Sequence, residues 1–555
     1  MNRIFDYLSN IPFPKHVKKS HKIIVGIILL VIILIYYFFV HPTLNLQSFT
    51  GLWFIISLLV LFFLYTLYIR TLANSVIISK IQKVLVSLVF LLIVGGVLGF
   101  LFSSKIFHAK LYSKRINVEQ VDFSNKTISD VDFTKTPILD RKSTEKLGDK
   151  VMGDMPELVS QFEVSDAYTQ ISYKNSVYRV TPLEYAGFFK YLTNRSEGIP
   201  AYIIVNSTNG KTQLVKLKDL GLDGMKYVPS AYFGENLQRR LQLKYPTKIF
   251  GTPSFEIDEK GHPYYICTTY GYYGVNSKQY VNGMVLFDPI TGDSKKYDVG
   301  HFPKWVDRIY PESLIMNEVD DNGSLKNGFF NSIIGQKNVT VTSDGYNYLE
   351  KDGDIWIYSG ITSANKDTSN LGFVLTNLRT HRTLKFACSG ADEQAAMASA
   401  EGEVKNYGYD ATFPLLVNVA GHPVYLLSLK DSGGLVKMYA MVDAKDYQSV
   451  TVVSADSYNN LDLLKKQYIA NLAGESSESV KGKLSKATIV VNSVNFMTID
   501  SKTKAYIVDD KGLRYKIEAT NTNEDILAFM HTGDKYEIEY LKSDDIQIIK
   551  SIKKN

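Results

Sequence analysis

A chain of 555 residues with 45% apolar content is too long for one hydrophobic core and ample for several, so three or more domains are expected. Its formal charge of +6 is confined to one end: residues 1–115 hold 12 Lys and Arg against the single acid Asp6, leaving 50 basic and 55 acidic residues elsewhere. The larger part is therefore near −5, without the footprint of a nucleic-acid binder, and Cys267 and Cys388 are too few for a disulfide scaffold.

Behind a tail at 1–22 come three uncharged apolar runs, at 23–40, 51–69 and 84–102. Each approaches the roughly 20 residues with which a helix crosses the hydrocarbon core. A cleaved signal peptide is the competing reading of the first run; its length, the tail ahead of it and the lack of a small-residue cleavage site favour a span. Lys and Arg beside short loops mark the cytoplasmic side. Arg3, Lys15, Lys18, Lys19, Lys22, Arg70, Lys80 and Lys83 then lie inside, against Lys105, Lys110, Lys114 and Arg115 outside. The expectation is a multi-pass protein of the cell membrane with the lipid bilayer as partner, a cytoplasmic N-terminus, helices within 23–103 and everything later extracellular. Gly95, Gly96 and Gly99 give the third helix a small-residue face suited to helix contact.

Residues 104–155 are polar and interrupted and read as an extracytoplasmic stem. From 156 to 469, tyrosine-rich and β-branched runs alternate with Gly, Asp and Asn turns, predicting antiparallel sheets with a few helices. EIDEKGHPYYICTTY (256–270) is nearly repeated as LVNVAGHPVYLLSLK (416–430), with relatives in TNRSEGIPAYIIVNS (193–207) and EKDGDIWIYSG (350–360). Behind each lies a strand, a turn opened by Asp or Asn, and a returning strand, because those side chains cap their own backbone. YIIVNSTNGKTQLVKL, NGMVLFDPITGDSKKYDV, GFVLTNLRTHRTLKF and YAMVDAKDYQSVTVV carry it. Four units follow, led by Gly198, Gly261, Gly353 and Gly421, two in 156–312 and two in 313–469. Helices are expected at 181–192, at 233–246 with Leu237, Leu241 and Tyr245 on one face, and at 390–408; none is apparent for unit three.

This helix-plus-hairpin plan, with its Asp-x-x-Thr-Gly turn, resembles PepSY domains. MKYVPSAYFGENLQRRL, YPTKIFGTPSFEIDEKGHPYY, FPKWVDRIYP and YDATFPLLVNVAGHPVYLLSLKDSGGLVKMYAMV are similar to a family of uncharacterised multi-pass membrane proteins of Gram-positive bacteria. The resemblance implies tandem PepSY-like domains and, as ligand, a peptidase or polypeptide at the cell surface held or inhibited by sheet-edge pairing. It supplies no catalytic residue.

A small-residue linker at 470–483 precedes residues 484–555, whose three strands, helix and two strands follow the order of an OB-like β-barrel. Its aromatics, Phe496, Tyr506, Tyr515, Phe529, Tyr536 and Tyr540, are few and spaced like core residues, so no nucleic-acid partner is expected.

The chain lacks His-Glu-x-x-His, Gly-x-Ser-x-Gly, Walker and Cys-x-x-Cys patterns. His262 and His422 hold equivalent repeat positions, where a solvated hairpin residue outweighs a shared metal site. Asp288 and Asp293 offer too few oxygens for calcium and read as turn residues. Cys267 and Cys388 read as buried free thiols ahead of a bridge, and Trp305 and Trp356 as core residues. The tyrosine cluster YGYYGVNSKQY (270–280) is the candidate contact surface, through Tyr270, Tyr272, Tyr273 and Tyr280. No catalytic, cofactor or metal residue is assigned. The expected function is a non-enzymatic, membrane-anchored extracytoplasmic binding or scaffolding protein; the alternative is a subunit of a membrane transport or envelope-assembly complex with the helices essential.

Overall fold

The computed structural model of the protein describes residues 19–70, 76–124, 127–364, 369–455, 460–472, 485–499, 502–519, 523–541 and 546–554. Of the expected tail and linker, residues 1–18 and 473–483 lie outside these. The first helices are α1 (Lys19–Val40), α2 (Phe49–Arg70) and α3 (Val76–Phe102), each long and apolar enough to cross a membrane. The glycine face of α3 divides its duties. A Cβ added at Gly96 would lie 2.7 Å from Leu52 of α2, one at Gly99 would lie 3.0 Å from Val275 of the sheet-rich region, and Gly95 meets open space. Gly96 alone of the three serves helix packing, which corrects the expectation of a single small-residue face.

Residues 104–155 are not a free stem. Helix α4 (Lys105–Tyr112) turns back on α3, and the Tyr112 hydroxyl donates to the Ser103 carbonyl at 2.9 Å. Strand β1 (Val118–Gln120) pairs in parallel with residues 383–385. Helix α5 (Arg141–Gly153) starts at Asp140, whose carboxylate accepts the Ser143 N–H at 3.0 Å, and packs on the first sheet. The segment is short of local apolar pattern because its partners lie far along the chain.

Four sheets share one plan. Unit one holds β2 (Phe162–Val164), β3 (Thr169–Tyr173), β4 (Ser176–Tyr185), helix α6 (Phe188–Asn194), β5 (Ala201–Asn206) and β6 (Thr212–Lys216). Strands β2 and β3 both pair with the long β4, from which β5 and β6 continue antiparallel. Unit two repeats this after helix α7 (Leu237–Lys244), with β7 (Ile249–Phe250), β8 (Ser254–Ile257), β9 (Pro263–Tyr272), β10 (Gln279–Phe287) and β11 (Ser294–Tyr297). Unit three does so after α8 (Glu312–Ser324), the helix not apparent in the sequence, with β12 (Thr340–Thr342), β13 (Asn347–Lys351), β14 (Asp354–Ser363), β15 (Ser369–Asn377) and β16 (Thr383–Ala391). Unit four follows α9 (Glu393–Glu403), with β17 (Asp410–Ala411), β18 (Leu415–Val419), β19 (His422–Lys430), β20 (Val436–Asp443) and β21 (Val450–Ser454), and α10 (Asn460–Leu472) behind it.

The turn after the fourth strand is built identically each time. Asn206 Oδ1 accepts the Thr208 N–H at 2.9 Å, Asp288 Oδ1 that of Ile290 at 2.8 Å, Asn377 Oδ1 that of Arg379 at 2.9 Å, and Asp443 Oδ1 that of Lys445 at 2.8 Å. Each oxygen also accepts the next N–H along, so one short side chain satisfies two turn donors. The turn between the second and third strands places Gly261, Gly353 and Gly421 at φ of +86°, +82° and +90°. In unit one that turn is Lys174–Asn175, both at positive φ, while Gly198 stands before β5. The leading position of unit one is therefore corrected by some two dozen residues: Asn tolerates the left-handed conformation that glycine signals elsewhere. For the same reason Thr181–Tyr185, expected as helix, continue β4.

Because side chains alternate across a strand, each sheet serves two cores. Tyr265 and Cys267 join the core shared by units one and two, while Ile266 between them joins the core shared by units two and three. In the same way Ile355 and Ile357 face unit two, and Trp356 and Tyr358 face unit four. The former stem closes the circuit from unit four back to unit one: Lys430 pairs with Asp140 at 2.5 Å and the Ser428 hydroxyl donates to the Ile138 carbonyl at 3.1 Å. The four units thus succeed one another around a centre. Beyond them β22 (Ser485–Ile499), β23 (Lys502–Asp509), β24 (Arg514–Glu518), helix α11 (Glu524–Ala528), β25 (Lys535–Leu541) and β26 (Gln547–Lys554) form a closed barrel, sealed by parallel pairing of Tyr515 with Gln547. Tyr515 and Tyr536 fill it, whereas Phe496 and Phe529 are exposed and not core residues as their spacing suggested.

Candidate functional site

The circuit of units encloses a cavity of about 950 Å³. Each unit lines it with the same part of its plan, the approach to the second short strand: Thr169 and Gln170, Pro253 and Ser254, Asn347 and Tyr348, Thr412 and Phe413. The start of α5 supplies the remaining wall through Asp140 and Arg141. A repeated scaffold therefore builds one site, four times contributed.

One position breaks the repeat. On the long strand of each unit, the residue paired with the one just before the capping Asp or Asn is Tyr265, Ile357 and Tyr425 in units two to four, and Arg179 in unit one. The residues opposite on the second strand are Phe255, Tyr348 and Leu416, against Gln170. Unit one thus replaces apolar or aromatic cross-strand pairs with a guanidinium and an amide, both 5% exposed and both lining the cavity. Arg179 Nε donates to Gln170 Oε1 at 3.2 Å and Nη1 to Thr144 Oγ1 at 3.3 Å. Burial pushes its pKa down, and no ion-pair partner lies beside it among the described residues. Three other cations of the lining are engaged, Lys430 with Asp140 at 2.5 Å, Arg141 with Glu145 at 2.6 Å, and Arg308 with Glu312 through bonds of 2.8 and 2.6 Å, while Lys142 and Lys146 are exposed, the latter reaching the Gly433 carbonyl. Gln170 Nε2 and the Tyr168 hydroxyl are buried without a hydrogen-bond partner. Sequence reasoning missed this pair; the signal was a charged residue in an otherwise apolar strand position, hidden by the misplaced start of unit one.

The tyrosine cluster does not make one surface. Tyr270 is buried in the core between units two and three and Tyr272 is half-buried beside it, while Tyr273 and Tyr280 are 66% and 36% exposed. The exposed rings lie 4.6 Å apart, with the Lys278 ammonium 4.1 Å above Tyr273. Tyr270 and Tyr272 line a second cavity, of about 890 Å³, with Lys105, Arg115 and Lys278 at the end of α3. The hairpin tip between β9 and β10 reaches the helices: Asn276 N–H donates to the Gln47 carbonyl at 2.7 Å, and Val275 sits against Gly99. The loop between α1 and α2 meets the same unit, with Leu44 N–H on the Pro246 carbonyl at 2.6 Å. Arg239 Nε donates to the Phe38 carbonyl at 2.7 Å, its guanidinium 4.7 Å from the Phe38 ring. The cluster thus fastens unit two onto the helix ends.

Two buried carboxylates lie beneath the central cavity without lining it. Glu256 accepts the N–H groups of Asp307 and Arg308 at 2.8 and 3.0 Å, and Asp307 accepts the Ser172 N–H at 2.6 Å. Burial raises both pKa values, and the proximity of Glu256 raises that of Asp307 further. Sealed from solvent and bonded to backbone, they pin units one, two and three together. His262 pairs with Asp288 at 3.3 Å, and among the described residues no three His, Cys, Asp or Glu are grouped to hold a metal ion. Cys267 and Cys388 are buried and free, in different cores; burial lifts the Cys267 thiol well above its ordinary range and raises that of Cys388. Trp356 is a core residue, whereas Trp305 is half-buried with its ring 5.2 Å from Tyr264. The central cavity offers hydrogen-bonding groups and, on its unit-one wall, the buried guanidinium of Arg179. A scan against protein-family models finds no match for the chain, and a search of curated proteins finds none either.

Proposed function

We propose that the protein is a non-enzymatic binding protein, fastened to the membrane by α1–α3, which presents four PepSY-like units and an OB-like barrel outside the cytoplasm and takes a polypeptide into the central cavity. The observation that carries this reading is the convergence of four equivalent strand approaches on one cavity. One of them, β3, pairs with β4 alone, and an extended chain can add along its outer edge short of Ser172, whose N–H is taken by Asp307. The resemblance to a Gram-positive membrane family and the surplus of basic residues before 84 support the extracytoplasmic placement.

A photo-crosslinking amino acid at Thr412, in the cavity, is expected to capture polypeptide on living cells, while one at Lys211, on the exposed turn after β5, is not. Indistinguishable adducts from the two positions would overturn the reading. Protease treatment of intact cells is expected to digest the region after residue 115, and its full protection would overturn the placement.

A further inference from the structure

We propose that Arg179 and Gln170 form a receptor for a carboxylate entering the central cavity, either the free C-terminus or an acidic side chain of a polypeptide. The proposal rests on the reading of that cavity as a ligand site. Three observations lead to it. The fold does not require a charge there, because three of its own copies build the same strand pair from apolar and aromatic residues. The pair is left incomplete: Arg179 lines the cavity without an ion-pair partner among the described residues, its Nη2 making no hydrogen bond there, and Gln170 Nε2 beside it is buried without one. A buried guanidinium in this state is tolerated only where something completes it.

The chemistry of the pair selects the ligand. The N–H donors of a guanidinium match the two oxygens of a planar carboxylate. A phosphate needs further buried cations, and Lys430, Arg141 and Arg308 are already committed to Asp140, Glu145 and Glu312, while Lys142 and Lys146, which also line the cavity, are exposed. Gln170 also belongs to β3, so a chain adding along that strand short of Ser172 runs past the receptor.

The test uses the full chain in lipid nanodiscs, titrated with N-acetyl-tetraglycine as the free acid and as the C-terminal amide, with binding read by calorimetry. The free acid is expected to bind the wild type and the amide not, and R179M is expected to weaken the acid by about tenfold to a hundredfold, the worth of a charge-assisted hydrogen bond. Because R179M also removes an unpaired buried charge, it is expected to melt at or above the wild-type temperature without ligand. A residue kept only for its bonds to Thr144 and Gln170 would make R179M melt lower. The proposal is overturned if acid and amide act alike, if neither acts on the wild type, or if R179M responds as the wild type does. Thr252→Trp, which obstructs the cavity from an exposed wall position, separates the two readings. If it blocks the acid while R179M does not, the carboxylate receptor fails alone; if the acid binds Thr252→Trp normally, the cavity reading fails with it.

Discussion

Glu256 makes units one to three sensitive to pH in a direction opposite to that of most surface carboxylates. It is fully buried, and burial lifts its pKa from 4.5 to about 7, against the opposing effect of the two N–H groups it accepts. Below pH 4.5 the group is protonated whether the chain is folded or unfolded, and stability is unaffected. Between 4.5 and about 7 the folded state keeps a proton that the unfolded state has lost, so stability falls as pH rises. At 1.36 kcal/mol per unit, the loss reaches about 3 kcal/mol above pH 7. For a cooperative unit the size of the core shared by units one and two, that is roughly 6 to 12 °C in melting temperature. Glu256→Gln keeps an oxygen to accept one N–H and removes the titration of Glu256, while the buried Asp307 beside it keeps its own. Scanning calorimetry of both proteins in nanodiscs between pH 5 and 8 is expected to show the wild type losing this much relative to the variant. A difference that stays constant with pH would refute the argument that burial dominates at this carboxylate.

Further outcomes follow from the packing. Phe255, between Tyr202 and Tyr265 at ring distances of 5.9 and 5.5 Å, belongs to the core of units one and two together. Phe255→Ala is expected to cost about 3 to 5 kcal/mol and to lower hydrogen-exchange protection in β4 and β9 alike; loss in β9 alone would show that the units fold separately. Gly99→Leu drives a side chain into the place of Val275, at about 1 to 3 kcal/mol, and is expected to speed exchange at the Asn276 amide about tenfold without changing β22–β26. Cys267 and Cys388 are expected to resist maleimide in the folded protein and to react fully in denaturant, without prior reduction.

What the sequence disclosed and what it concealed divide along the range of the interactions. The turns capped by Asn206, Asp288, Asn377 and Asp443 were readable because cap and capped groups lie within three residues of each other. The five strands and helix of the barrel were readable for a similar reason, each being a short alternating run bounded by turn residues. The pairing of Val118–Gln120 with Thr383–Lys385 was not, since nothing in three residues names a partner so remote. The tyrosines at 270–280 were visible as a cluster, but whether they meet a ligand, a core or a helix end depends on which face of β9 each occupies and on where the hairpin tip lands. Arg179 is the instructive omission. Glycine marks the turn in units two to four, whereas unit one uses Lys174–Asn175 there, so glycine alone places its strands one hairpin too late. Once the ladders set the register, the repeat itself defines what each position needs for folding, and a residue that departs from it while buried has to be explained by something other than the fold. Three copies of an apolar or aromatic pair are the control for the fourth, and that internal control is why Arg179 outweighs the more conspicuous tyrosines as the residue on which the proposed binding is to be tested.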